Sequence, residues 1–391
     1  SNAQNFVFRK YWSLKKNSVT RSSSFDENCQ KFTLLWEEVI DLYLTADFEI
    51  GSCLSGGLDS SSIVATVANK FQKNIKTFTL GFEESEVNEL SYARAITDSS
   101  DKIDSTFVTF SSRQVLDLVE EMYEYHDQPF PDFSIVGQWK VMSSIKADGL
   151  RIVFDGQGGD ELLAGYRKYY AFYIKSLFRN GSFITAFREI SILFSSKHIN
   201  FWNLEGIKKY LGFRVNNDLF SRGNVDLEIP LYRLGANDLD DVFNQDIFKF
   251  SYPPLLAWED TNSMAHGIES RVPFMDYELV EFLYNVPVNH KIRFGYTKTL
   301  LREALKGILP DKIYRRKSKL GFSTPQNEWM LDREFRDDML QRLELVEFDE
   351  IVNVKEFKRD LGKMSKNKQH NNMLVRIYLY LIWKNRKKCV V

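Results

Sequence analysis

Eight consecutive residues, Leu54-Ser55-Gly56-Gly57-Leu58-Asp59-Ser60-Ser61, hold two glycines, three hydroxyls and a carboxylate. Paired glycines let a backbone approach an anion closely, the hydroxyls of Ser55, Ser60 and Ser61 are donors, and a helix beginning here would add its positive end. That chemistry suits a polyphosphate. No Gly-Lys-Ser/Thr follows, so this is not the loop of enzymes that transfer a γ-phosphate. The plainer alternative is a Gly-Ser turn that caps a helix, with Asp59 as an ordinary helix-starting acid. A second glycine-rich run, Asp155-Gly156-Gln157-Gly158-Gly159-Asp160-Glu161, brings further carboxylates, and Arg315, Arg316, Lys317 and Lys319 form a basic cluster. Asp59 and Asp160 are hard oxygen donors of the kind Mg2+ takes. The basic cluster reads either as an anion-binding group or as a solvated face.

The elements around these runs follow an alternating pattern. Strand-like segments at 48–54, 75–81, 104–110 and 151–154 are separated by segments with helical spacing at 60–71, 88–99, 113–125 and 135–147, and Gly149 closes the last of these. Such alternation predicts an α/β fold, a doubly wound parallel sheet, with the Ser55–Ser61 and Asp155–Glu161 runs on loops leaving the ends of strands, where such sheets bind ligands. The predicted organisation is residues 1–30 as tag scar and linker, 31–185 as the α/β domain, and 186–391 as a mainly helical region. Ser1-Asn2-Ala3 reads as what a cleaved tag leaves behind, and Tyr11-Trp12 with the Ser-rich stretch after it reads as a linker from something upstream.

Composition narrows the class. Lys and Arg total 52 against 53 Asp and Glu in 391 residues, so no net field draws the chain to nucleic acid or an anionic membrane. The three cysteines, Cys29, Cys53 and Cys389, form no CxxC pair, which argues against zinc and disulfide frameworks. The apolar run Met373 to Trp383 contains Arg376 and is shorter than the ~20 residues a span requires. A cytoplasmic protein acting on small molecules is expected.

The first run resembles the SGGxDSS pyrophosphate loop of the ATP pyrophosphatase (PP-loop) superfamily. Three further blocks narrow the resemblance to the synthetase part of glutamine-dependent asparagine synthetases: Asp155–Glu161 with Ala164-Gly165-Tyr166, Met264–Asp276, and Arg315–Phe322. What the resemblance implies is a ligase that joins a carboxylate to ammonia through an acyl-adenylate, releasing AMP and pyrophosphate. ATP and Mg2+ are the implied cofactors. Leu54 and Leu80 would flank the adenine, with core packing as the alternative; Ser55, Gly56, Gly57, Ser60, Ser61, Asp155 and Gly156 would hold the nucleotide; Asp59 and Asp160 would bind the metal.

Lys317 is the lysine the resemblance places on the α-phosphate. Glu269 and Arg271 interrupt an apolar stretch, as either substrate contacts or an internal ion pair, and His266 reads as a structural histidine. Gln157 stands at the catalytic position where these enzymes often carry an acid; a neutral amide can only orient groups, so substrate groups, phosphate oxygens or another carboxylate such as Glu269 would manage the amide-forming proton, or the enzyme serves a different acceptor. The implied partners are a small carboxylate and ammonia, a glutaminase domain upstream, and, as one possibility, a second copy in a homodimer. Aspartate, another carboxylate such as a sugar acid, and a catalytically idle nucleotide-binding module all remain open.

Overall fold

The computed structural model describes residues 8–82, 89–195, 219, 239–317, 322–363 and 365–388. Helices α1 (Ser18–Ser22) and α2 (Phe25–Tyr43) precede the sheet, and α2 starts on a capping box in which Ser24 and Glu27 satisfy each other's backbone N–H groups. Neither the stretch after Trp12 nor α2 behaves as linker. Trp12 Nε1 donates to Glu281 at 2.7 Å, the Asn17 N–H donates to Asn285 Oδ1 at 2.6 Å, and Phe32 and Trp36 are fully buried.

Five parallel strands form one sheet in the order β3-β2-β1-β4-β5, where β1 is Ile50–Cys53, β2 Ile75–Leu80, β3 Ile103–Val108, β4 Ile152–Phe154 and β5 Glu269–Arg271. The chain winds outward from β1 through β2 to β3, then crosses to β4 on the other side. The carboxyl ends of β1 and β4 therefore flank the point where strand order reverses, the crevice in which open α/β sheets bind ligands. Between the strands run α3 (Leu58–Ala65), continued by a π-helical turn Thr66–Lys70, then α4 (Leu90–Thr97), α5 (Ser112–Met122) and α6 (Ser134–Ala147). Gly149, with φ +86°, ends α6 and turns the chain into β4. The central strand pair is buried: Ile152, Val153 and Phe154 are all in the core.

Among the described residues after 185 helices predominate, with two exceptions. β5 supplies the outer strand of the sheet, and Ile292–Arg293 pairs with Tyr296–Thr297 in a short hairpin. The sheet is thus completed from the far side of the expected boundary at 185/186. One core joins α2, α3 and the inner strands to helices of the later region, with Trp36 against Phe274 at 4.7 Å between ring centres. A second core packs α5 and α6 against the C-terminal helix Lys368–Lys388. Among the described residues no helix is long and apolar enough to cross a membrane.

Candidate active site

A cavity of about 320 Å3 opens at the carboxyl ends of β1 and β4. Its walls include the loop after β1, the end of β2, α6, the loop after β4, residues 297–302, and Arg316 with Lys317.

Local chemistry shapes the first loop. Gly56 has φ +72°, and a Cβ there would run into the backbone of Tyr92 and Ala93. Its carbonyl accepts from Arg316 Nη1 at 2.8 Å, while Ser55 Oγ takes the Gly57 N–H at 3.1 Å and lies 3.2 Å from Ser60 Oγ. α3 then starts behind Gly57 with no side-chain cap, so its first N–H groups have no capping acceptor. Asp59 and Asp160 sit inside the first turns of α3 and of α7 (Gly159–Leu162) rather than at their caps, which are Gly57 and Gly158. The two loops touch: a Cβ on Gly156 would come within 2.9 Å of Ser60 N, and one on Gly159 would strike the Asp59 carboxylate.

Lys298 is the cation the sequence reading missed. Held in the left-handed region at φ +56°, it sends its buried ammonium to Asp59 Oδ1 (2.7 Å) and Oδ2 (2.5 Å) and to Asp160 Oδ1 (2.6 Å). Burial pushes the Lys298 ammonium down, and the Asp59 charge opposes that push. No spacing rule singles out one lysine ahead of an apolar helical segment, so its role emerges only once the hairpin turns it inward.

Arg316 is a brace instead of a solvated residue. Besides Gly56 it pairs with Glu89, and its guanidinium lies over the Tyr92 ring at 3.9 Å. Arg302 in turn donates to the carbonyl of Arg316 at 2.7 Å and to those of Ile313 and Tyr314. This anchors the segment that carries Lys317. Lys317 lines the cavity with its ammonium 4.4 Å from the centre of the Tyr296 ring; Lys319 lies outside the described residues.

Leu54, Ser55, Gly57, Asp59, Ser60, Leu80, Asp155, Gly156, Gln157, Asp160 and Lys317 all line the cavity. Three expected residues do not. Gly56 serves the turn as described. Ser61, 0% exposed, is one residue round the helix from Ser60 and faces the core, since successive helical residues point about 100° apart. Glu269 pairs in register with Ile152, at the amino end of β4, and so lies away from the cavity; its Oε1 accepts from Arg271 Nε at 2.6 Å, and Arg271 Nη1 also reaches the carbonyl of Tyr43 at 2.5 Å. Of the two readings of that pair, the geometry favours the ion pair. His266 is buried, donating Nδ1–H to the Asn262 carbonyl at 2.8 Å, with burial lowering its pKa, in keeping with a structural histidine.

Behind Gln157 lies a buried acidic pair. Asp155 on the cavity wall and Glu259 in the helix Tyr252–Ala265 lie close enough for the Asp155 charge to push the Glu259 carboxyl up, while the neighbouring Gln157 amide opposes that push. Burial raises both carboxyls, Asp155 to about 6 and Glu259 well above the usual carboxylate range. Glu259 also accepts from Ser270 Oγ at 2.5 Å and from Gln138 Nε2 at 3.3 Å.

A glycine-rich loop at the switch point of a parallel sheet, faced by carboxylates and lysines, is the ligand-binding arrangement of an open α/β fold. The chain belongs to the asparagine synthase family, whose profile matches residues 33–384. It is 28% identical to asparagine synthetase [glutamine-hydrolyzing] 1 of Bacillus subtilis over 74% of this chain and 49% of that protein. Synthetase 3 of the same organism is 29% identical over 79% and 50%. "Amidase chyE" of Penicillium rubens is 26% identical over 75% of this chain and 52% of its own length. The chain spans about half the length of the curated relatives it matches.

Proposed function

We propose that this chain adenylates a carboxylate with ATP and transfers the acyl group to ammonia, releasing AMP, pyrophosphate and an amide. The observation that carries this reading is the convergence, in one cavity, of a glycine-hydroxyl loop without a Walker lysine, the Asp59/Asp160 pair and Lys317. The loop backbone and the start of α3 suit the β- and γ-phosphates that leave together. Leu54 and Leu80 supply an apolar wall for the base, and Lys317 supplies positive charge where negative charge grows as the carboxylate oxygen attacks the α-phosphorus.

The aspartate pair fits a hard divalent cation, since both carboxylates already gather round one positive charge, the Lys298 ammonium. Asp59 and Asp160 would hold Mg2+, with phosphate and water completing its shell, and the ion would neutralise polyphosphate charge. No protein nucleophile is needed. Cys53 is a poor one, because burial and the neighbouring Asp155 push its thiol well up, and burial raises Cys29 also. The chain is therefore expected to use ammonium salts and to ignore glutamine; the longer relatives carry the words glutamine-hydrolyzing in their names.

Incubation with ATP, Mg2+, an ammonium salt and a panel of carboxylates tests the reading. AMP and pyrophosphate in step with one acid are expected; stoichiometric ADP and phosphate would overturn it. Gln157, a neutral amide, favours an acceptor other than aspartate, so asparagine formation is expected to be weak beside the best acid of the panel. Robust asparagine synthesis would reverse that choice.

A further inference from the structure

We propose that Asp155 and Glu259 form a proton-accepting dyad for the amide-forming step, Asp155 facing the reacting groups as the catalytic residue and Glu259 positioning it from behind. The inference rests on the amidation reading and assigns the proton that Gln157 cannot take. A primary amide has donors and an acceptor but no basic site near neutral pH, so at 157 it can orient and not deprotonate.

The geometry supplies the missing carboxylate one layer deeper. Glu259 is 2% exposed, and its two oxygens are held by Ser270 on β5 and Gln138 on α6. Gln138 is itself fixed by Asn262 Nδ2 at 2.9 Å, and Asn262 Oδ1 accepts from His126 Nε2 at 2.9 Å. The Gly156 and Gln157 N–H groups and the Cys53 thiol lie beside Asp155 and oppose the rise that burial gives its carboxyl. The groups facing the pair are thus Cys53 from β1, Gln138 from α6, Gln157 from the loop, Ser270 from β5, and Tyr252 from the start of Glu259's own helix. None is cationic. With no cation among the described groups facing them, two neighbouring carboxyls cannot both ionise cheaply, so the pair shares a proton near neutrality and retains an ionised oxygen that can accept another.

The balance is simple. The ammonia nitrogen attacks the acyl carbon, a C–N bond forms, and the C–O bond to AMP breaks with its electron pair leaving on the phosphate. The nitrogen loses one proton, which passes to the dyad and later to solvent.

Two half-reactions separate this role from others. Carboxylate-dependent exchange of labelled pyrophosphate into ATP reads adenylation alone, and amide formation from ammonium reads the whole. With Glu259→Gln, exchange is expected to stay within about threefold of wild type while amide formation falls by ~10²-fold at neutral pH, with the deficit narrowing as pH rises and solution base takes over. The double variant Gln157→Glu/Glu259→Gln, which returns a carboxylate one layer nearer the cavity, is expected to recover at least ~10-fold of that loss. Exchange that falls in parallel with amide formation would overturn the proposal by assigning the pair to nucleotide binding. Unchanged rates and pH profile in Glu259→Gln would overturn it as well, and so would a lower melting temperature with both readouts lost, which would mark a structural role. Wild-type protein without exchange on any carboxylate would instead remove the amidation reading, a result distinct from wild-type exchange beside an indifferent Glu259→Gln.

Discussion

Lys298 between Asp59 and Asp160 solves an electrostatic problem that the nucleotide site creates. Two carboxylates facing one cavity repel, and the buried ammonium cancels that repulsion before any ligand arrives. Removing one partner of a buried ionic cluster strands the others, typically at ~3–5 kcal/mol. Lys298→Met is therefore expected to lower the melting temperature without Mg2+, and added Mg2+ is expected to restore more stability to the variant than it adds to wild type. Equal responses to Mg2+ would show that the aspartates do not receive the ion. Among the described residues Lys317 makes no comparable ion pair across the cavity and sits over Tyr296, so Lys317→Ala is expected to leave the fold intact while activity falls ~10²-fold. Near-native turnover would return Lys317 to the solvated face, and the same assay on Lys319→Ala would say whether its neighbour carries the role.

Asp155 gives the pH dependence its sign. Its carboxyl is raised from 3.8 to about 6 in the fold, so the native state binds a proton more tightly than the unfolded chain does. The favourable part of that linkage is present below about pH 4 and disappears as pH climbs through about 6. Asp155→Asn is expected to be stabilising relative to wild type at pH 8, with the advantage shrinking toward pH 4. Melting curves at the two pH values check it, and a constant difference would contradict the assignment.

At the scale of elements, the loops owe their shape to glycines that have no room for a side chain. Gly56 combines φ +72° with backbone neighbours at the would-be Cβ, a conformation that costs about 1–3 kcal/mol for other residues before any clash is counted. Gly56→Ala is expected to destabilise the protein by at least that much and to shift the start of α4, visible in chemical denaturation; a change below ~0.5 kcal/mol would mean the turn is adaptable.

The strands β1, β2, β3 and β4 and the helices between them are legible from apolar runs and helical spacing, because those elements bury a regular face. β5 is not. Glu269-Ser270-Arg271 is three polar residues at a sheet edge, whose strand conformation comes from pairing with β4 and not from its own pattern. The same limit explains Ser61, where a loop motif runs on into a helix that turns every successive side chain by about 100°. Glu259 escaped notice because one acid in a helix of mixed polarity is normally a solvated face, and only the burial of the Tyr252–Ala265 helix against α6 and β5 reveals it.

For the molecule as a whole, the sheet and its ligand cavity are not separable from the later helical region. β5 covers the outer edge of β4, Arg271 ties the end of α2 through the Tyr43 and Thr45 carbonyls, and Phe274 fills the space beside Trp36. Arg316 braces the Gly56 turn, and Lys298 neutralises Asp59 and Asp160. A fragment ending near 195 would keep β1 to β4 but expose a hydrogen-bonding sheet edge, uncover part of Trp36 and leave two carboxylates in one crevice without the Lys298 ammonium. An exposed edge invites pairing with other chains, and each lost contact removes a term that marginal stability cannot spare. Residues 8–195 alone are therefore expected to aggregate or to melt without cooperativity, and to bind no ATP. Co-expression with residues 239–391 is expected to restore a soluble pair if the two halves meet before the edge aggregates. A cooperative transition and nucleotide binding by the 8–195 fragment alone would show instead that the α/β half is a self-sufficient domain, and that β5 and the basic segment are additions to a site already complete.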